Sequence, residues 1–276
     1  MRFTALEHEG IARIAMIRGD RAVPIAAIAD FYADLPRWLA VAAASDSDGL
    51  PLASARLVPA ITPAARVLCV GLNYRAHAAE GGVEPPAFPA IFGRWTRSLI
   101  ADGDSVPAID KKLDWECELG VVIGKEMAAV DEATALAGVF GYAAFNDISA
   151  RTYQRHTHQW TPGKNMDRSG PVGSIVTADE VGDPAQGLRI ESRLNGKVMQ
   201  SATTADMIFP VGRIISYLSE IMTLFPGDFI ATGTPEGVGY ARTPPLFMKA
   251  GDRIEVEIEK VGRISNPIAD ATRRGG

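Results

Sequence analysis

The sequence predicts an α+β protein: a small α/β unit over residues 1–62, then a large and mostly β domain over residues 63–276. Three observations predict it. The first sixty residues join one alternating apolar run to an Ala-rich stretch with helical spacing. After Pro63, short β-branched runs recur between Gly, Pro and Asn turn signals. One later segment, from Pro210 to Leu224, carries both a full helical apolar face and clear start and stop signals.

Ile11-Ala12-Arg13-Ile14-Ala15-Met16-Ile17 suits an early strand by its alternation and β-branched content. From Pro24 to about Ala44, Ile25, Ile28, Phe31, Tyr32, Leu35, Trp38, Leu39 and Ala42 recur at helical spacing, and a break is expected at Pro36. Ser45-Asp46-Ser47-Asp48-Gly49 has linker composition, so the boundary falls between it and Pro63. Strands are then expected over 66–71, 113–124, 139–146, 174–177, 188–194, 229–232 and 253–259. Asn195-Gly196 marks a tight hairpin turn. In 210–224, Pro210 suits a first turn, Val211, Ile214, Ile215, Leu218, Ile221 and Met222 share a face, and Pro226-Gly227 ends the helix.

Charge and composition exclude several classes. With 28 basic and 33 acidic residues the net charge is −5, and no basic run offers a surface for nucleic acid or an anionic membrane. At 47% hydrophobic and 22% charged residues the chain is globular, not disordered. No apolar run reaches the roughly 18 residues needed to span a bilayer. The first ten residues hold two acids where a secretory leader would have its apolar core, so no leader is expected. Cys69 and Cys117 form no CxxC pair and read as buried thiols, which suits a reducing compartment; a cytoplasmic protein is expected.

The window Leu113 to Gly124 carries the most chemistry. Read with a period of two, Trp115, Cys117, Leu119, Val121 and Ile123 form one apolar face. Glu116 and Glu118 then share the other face, about 7 Å apart by strand geometry. Such a pair is a solvated polar face or half of a cation site. Asp147 follows the apolar run Val139 to Asn146, where a side chain emerges at a sheet rim; alone it suits a turn or cap equally. Three carboxylates without His or Cys partners suit a hard cation, Mg²⁺ or Mn²⁺, and not zinc. His77 and Glu80 lie at i, i+3 and share a face if their segment is helical; they form a base with its orienting carboxylate, or a surface pair. Gly81-Gly82 and Pro85-Pro86 beside them supply a loop that can hinge. Lys164 sits on an expected loop. Thr232-Gly233-Thr234-Pro235-Glu236-Gly237-Val238-Gly239 lacks the ending of a phosphate loop and the spacing of a dinucleotide fingerprint; it is a carboxylate-binding loop or a plain turn.

In order along the chain, Asn73-Tyr74…His77…Glu80, Trp115-Glu116-Cys117-Glu118-Leu119 and Asn146-Asp147-Ile148-Ser149-Ala150-Arg151 resemble the fumarylacetoacetate hydrolase superfamily. So do Gln159-Trp160-Thr161-Pro162-Gly163-Lys164, Gly170-Pro171-Val172-Gly173 and the 232–239 loop, and the likeness covers about residues 63 to 268. It is nearest to the branch of acylpyruvases and 2-hydroxyhepta-2,4-diene-1,7-dioate isomerases. The resemblance implies a mixed β-roll around a metal, often with a small N-terminal domain, and a homodimer. It makes Glu116, Glu118 and Asp147 the ligands of Mg²⁺ or Mn²⁺, Lys164 a substrate-facing cation, and Thr234 a carboxylate contact. His77 and Glu80 match the lid dyad that activates water in hydrolytic members, and Arg151 and Gln154 match pocket-lining positions. Cys117, Asn165-Met166 and Phe92-Gly93-Arg94-Trp95 depart from common family patterns; they leave the metal site intact and the substrate open.

The function expected from the resemblance is metal-dependent hydrolysis of a carbon–carbon bond in a 2,4-dioxo acid such as an acylpyruvate. Oxaloacetate decarboxylation or isomerisation of a 2-oxo-dienoate is the alternative, because both use the same enolate chemistry. A third reading is a non-catalytic module whose carboxylates hold a structural Ca²⁺; it leaves His77, Glu80 and Lys164 without purpose. The expected partner is a small 2-oxo or 2,4-dioxo acid, with no nucleic acid and no membrane.

Overall fold

Three antiparallel strands open the chain: β1 (Arg2–His8), β2 (Ile11–Arg18) and β3 (Arg21–Ala27). The computed structural model describes residues 1–82 and 84–271. The helix expected from Pro24 starts later. Residues 24–27 stay in β3, and α1 (Ile28–Ala33) follows. Pro24 sits beside a register shift in the β2–β3 ladder, where a missing N–H costs little. The helical break falls at Asp34, whose side chain caps α2 (Leu35–Ala44); Pro36 lies in the first turn of α2, where no intrahelical bond is lost.

The second part runs β4 (Val67–Gly71), α3 (Arg75–Glu80), β5 (Ala90–Arg94), β6 (Cys117–Ile123), β7 (Val139–Asn146), α4 (Arg151–Gln154), α5 (Thr161–Lys164) and β8 (Ile175–Thr177). It continues with β9 (Arg189–Leu194), β10 (Lys197–Thr203), α6 (Val211–Ile221), β11 (Phe229–Ala231), β12 (Arg253–Ile258) and β13 (Gly262–Ala269). The β9–β10 hairpin turns on Asn195 and Gly196, both at positive φ (52° and 80°), as an Asn-Gly turn requires. Among the described residues no helix is long and apolar enough to cross a membrane.

The larger sheet has the order β3-β2-β1-β8-β7-β6-β11-β4-β5, and the smaller runs β10-β9-β12-β13. These mixed sheets with short helices make an α+β fold. Strand β6 lies between β7 and β11, so both of its edges are paired, and packing on each face leaves every residue in it buried. Its alternation sorts the core. Cys117, Leu119, Val121 and Ile123 face Ile190, Val256 and Ile258 of the smaller sheet and Ile214, Ile215 and Leu218 of α6. Val122 joins Phe3, Phe31, Phe140 and Phe229 on the opposite side. The N-terminal segment is stitched to this frame through the pair Phe3↔Ile175 and through the Phe31–Phe140 ring contact at 5.8 Å. The β6–β7 register, Cys117↔Asn146, brings Glu116 and Asp147 together at one end of the ladder, where Asp147 N donates to Glu116 O at 2.9 Å.

Candidate metal centre

Glu116 and Glu118 are two residues apart, so the pleat aims them to one side, and Asp147 reaches the same point from the end of β7. Each carboxylate is buried, and one oxygen from each lies within 4.8 Å of the others. At that separation two unit charges repel by about 3–4 kcal/mol with an effective dielectric near 20. Such crowding needs positive charge. Lys164, at the end of α5, donates from Nζ to Glu116 Oε2 and to Asp147 Oδ2, both at 2.6 Å. Burial pushes the Glu116 carboxyl up, but Lys164 and Arg151 outweigh it and hold it down at about 2. Burial pulls Lys164 down, and Asp147 and Glu116 more than offset this, so the ammonium stays charged.

Among the described residues Glu118 forms no ion pair. Its Oε2 accepts the Gly233 N–H, at 2.8 Å. Burial, then Asp147 and Glu116, raise its carboxyl well above the usual range. A hard oxygen donor set with one carboxylate short of positive charge fits a divalent cation such as Mg²⁺ or Mn²⁺. Gly233 is needed for this contact: it sits at φ +100°, and a Cβ there would lie 2.7 Å from the Asn73 side chain.

Two further groups complete the floor, and sequence reasoning missed both. Arg94, at the end of β5 and 3% exposed, pairs with Asp147 and donates to Ser169 Oγ at 2.5 Å. Asp114 is fully buried and accepts from Trp115 N (2.9 Å), Gly239 N (2.7 Å), Tyr240 N (3.0 Å) and Arg151 Nε (2.9 Å). It thus holds Arg151 against the glycine-rich loop. Parity was a usable signal for Asp114, which shares the even positions of Glu116 and Glu118. Arg94 gave none, because its partner is 53 residues away. Arg151 also meets Glu116 Oε1 at 2.7 Å and Gln154 Oε1 at 2.8 Å.

The 75–80 segment is helical, as the spacing of His77 and Glu80 requires. His77, 6% exposed, has Nδ1 at 3.1 Å from Glu80 Oε2. Glu80 Oε1 accepts from Gly237 N at 3.0 Å. Asn73 ties the start of this helix down: its Nδ2 donates to Thr232 O (2.6 Å) and its Oδ1 accepts from Phe209 N (2.8 Å). Thr234 is buried, and its Oγ1 accepts from Gln200 Nε2 at 2.8 Å. All of the expected site residues therefore converge, with Asp147 and Glu80 just behind the surface of one cavity of about 590 Å³. Trp160 and Phe92 form an aromatic wall, 5.4 Å between ring centres. Gly71 lets Trp160 approach, since a Cβ there would lie 2.3 Å from its ring. Tyr240 also lines the cavity.

Fold and cavity together define a class: α+β enzymes that gather carboxylates, a lysine and a His–Glu pair around one small-molecule pocket. The chain belongs to the fumarylacetoacetate hydrolase superfamily. The family model for the fumarylacetoacetate (FAA) hydrolase C-terminal domain matches residues 66–269. An oxaloacetate tautomerase, mitochondrial Fahd2a of Rattus norvegicus, is 40% identical over 237 residues, which is 83% of this chain and 75% of the relative. The solved 2-hydroxyhepta-2,4-diene-1,7-dioate isomerase of Mycobacterium marinum superposes with a TM-score of 0.77 at 32% identity, covering 100% of both chains. The fumarylpyruvate hydrolase of Pseudomonas aeruginosa, solved with Mn²⁺ and pyruvate, has a TM-score of 0.69 at 30% identity, covering 82% of this chain and 93% of its own. Hydrolase, isomerase and tautomerase thus all occur among its relatives.

Proposed function

We propose that this protein hydrolyses a carbon–carbon bond in a 2,4-dioxo acid, with Mg²⁺ or Mn²⁺ held by Glu116, Glu118 and Asp147. The observation that carries the reading is that His77, paired with Glu80, lines the same cavity as Glu116 and Glu118 of the buried carboxylate triad. The Mn²⁺ and pyruvate bound by the Pseudomonas aeruginosa relative support it. A bound divalent ion supplies a Lewis acid at the 2-oxo acid end of the substrate.

The chain's own groups do the rest. Glu80 engages Nδ1 of His77, which leaves Nε2 to take a proton from water. The water oxygen forms a bond to the distal carbonyl carbon. When the adjacent carbon–carbon bond breaks, its electron pair passes to the pyruvate half as an enolate, and Lys164 offsets the charge. The proton held by His77 then returns to the enolate carbon, so a carboxylic acid and pyruvate leave. Arg151, Gln154 and Thr234 orient the substrate. Release of pyruvate from acetylpyruvate, abolished by EDTA and restored by Mg²⁺, tests the reading; no release with metal present overturns it.

A second reading is favoured by the 40% identity to the tautomerase of Rattus norvegicus. There His77 moves a proton between carbon and oxygen of oxaloacetate, and no water attacks. Isomerisation of a 2-oxo-dienoate or decarboxylation of oxaloacetate belongs with it, since each passes through an enolate. We also propose a homodimer, checked by sedimentation, and a cytoplasmic location, in keeping with two buried unpaired thiols, Cys69 and Cys117.

A further inference from the structure

We propose that the cavity selects substrates with a second carboxylate, recognised by Arg155 beside Tyr240; this rests on the reading that the cavity takes a 2-oxo acid. The other strong cations of the cavity are already committed. Lys164 is paired with Glu116 and Asp147, and Arg151 with Asp114 and Glu116. Arg155 lines the same cavity and forms no ion pair among the described residues. A guanidinium in a substrate pocket without an acid of its own is matched to a planar anion, and a carboxylate fits its fork.

Its position is fixed, not free. Arg155 caps α4, and its N–H reaches Arg151 O at 3.3 Å, so the two arginines stand one turn apart on one face. Both guanidiniums stack on the Tyr240 ring, at 4.4 Å for Arg151 and 4.9 Å for Arg155. Tyr240 in turn is anchored through its backbone N–H to Asp114. A second observation points the same way: Nη2 of Arg151 is buried and has no hydrogen-bond partner. One buried Arg151 donor is thus unmet on a ring that Arg155, without an ion pair among the described residues, also covers, and a ligand carboxylate beside Tyr240 would meet both. His158, on the same rim, adds a further ring nitrogen to the cavity lining.

The test is binding, so it does not depend on which reaction follows. Mg²⁺-loaded protein is titrated calorimetrically with pairs of equal length, 2-oxoglutarate against 2-oxopentanoate and 2-oxoadipate against 2-oxohexanoate. Wild-type protein is expected to favour the diacid of at least one pair. Arg155→Ala is expected to lower that preference by about 10- to 100-fold, the usual worth of a hydrogen bond to a charged group. Arg155→Lys should restore part of it, because it keeps the charge and loses the fork. Arg155 is exposed, so neither variant disturbs the core. Binding of monoacids with no diacid advantage, or a preference that survives in Arg155→Ala, overturns the inference and leaves the proposed function standing. Wild-type protein that binds neither kind of acid overturns both.

Discussion

Glu80 accepts the backbone N–H of Gly237 at 3.0 Å, and this bond joins the helix that carries His77 to the glycine-rich loop that carries Thr234. The same carboxylate meets the His77 ring through its other oxygen. One side chain thus both orients the proposed base and fastens it over the cavity.

His77→Ala is expected to cost about 10²–10⁴-fold in acylpyruvate turnover, the usual contribution of a positioned base. Metal affinity should change little, because His77 is not among the proposed ligands. Glu80→Gln should lose less, since the amide oxygen can still accept from one of the two donors, His77 or Gly237. Turnover of acetylpyruvate at saturating Mg²⁺ reads both; a His77→Ala enzyme within a few-fold of wild type removes the dyad from the mechanism.

Glu118 lies among like charges and forms no ion pair among the described residues, so Glu118→Gln should act in opposite directions with and without metal. Metal-free protein should gain stability, by about 2–4 °C in Tm for each kcal/mol of repulsion relieved. Added Mg²⁺ should stabilise wild type by about 2.7 kcal/mol at 100 times its Kd, and the variant far less. Thermal melts with and without Mg²⁺ decide it, and equal metal stabilisation in both proteins would count against Glu118 as a ligand.

Arg94 is buried and paired with buried Asp147. Removing one partner of a buried pair leaves the other charge uncompensated, at a cost of about 3–5 kcal/mol. Denaturant unfolding of metal-free Arg94→Met should show a loss of that size; a loss under 1 kcal/mol would mean that Lys164 alone balances Asp147.

Residues 1–62 are proposed as a unit in topology and not in stability. Phe31 is fully buried, with ring contacts to Phe3 at 5.4 Å, Tyr32 at 5.5 Å and Phe140 at 5.8 Å. Phe31→Ala should cost about 3–5 kcal/mol and shift one cooperative transition of the whole chain. Two separate transitions in calorimetry would show that the N-terminal unit melts alone.

What was legible in the sequence was whatever a strand or helix period records locally. The alternation from Trp115 to Ile123 located Glu116 and Glu118 on one side, and the i, i+3 spacing placed His77 beside Glu80. The strand limits fell within a few residues, because β-branched runs end at turn signals. The start of α1 did not. Ala and Ile at 25–27 suit either state, and pairing with β2 decides for strand. Arg94, Tyr240 and Arg155 were hidden for a related reason. Their partners lie far away in sequence, and the contact that gives each one meaning exists only after the sheets have formed. Burial of Glu116 and Glu118 was hidden too, since Lys164, Arg151 and the Gly233 loop meet them only in the folded chain.

The most direct measurement is the fate of water oxygen. Mg²⁺-loaded protein is incubated in ¹⁸O-labelled water with fumarylpyruvate, a 2,4-dioxo acid with a second carboxylate, and the products are weighed by mass spectrometry. Hydrolysis predicts equal amounts of fumarate and pyruvate, with one labelled oxygen in the new carboxylate of fumarate and none formed in the presence of EDTA. Intact fumarylpyruvate, beside rapid interconversion of the enol and keto forms of oxaloacetate by the same protein, would contradict the account.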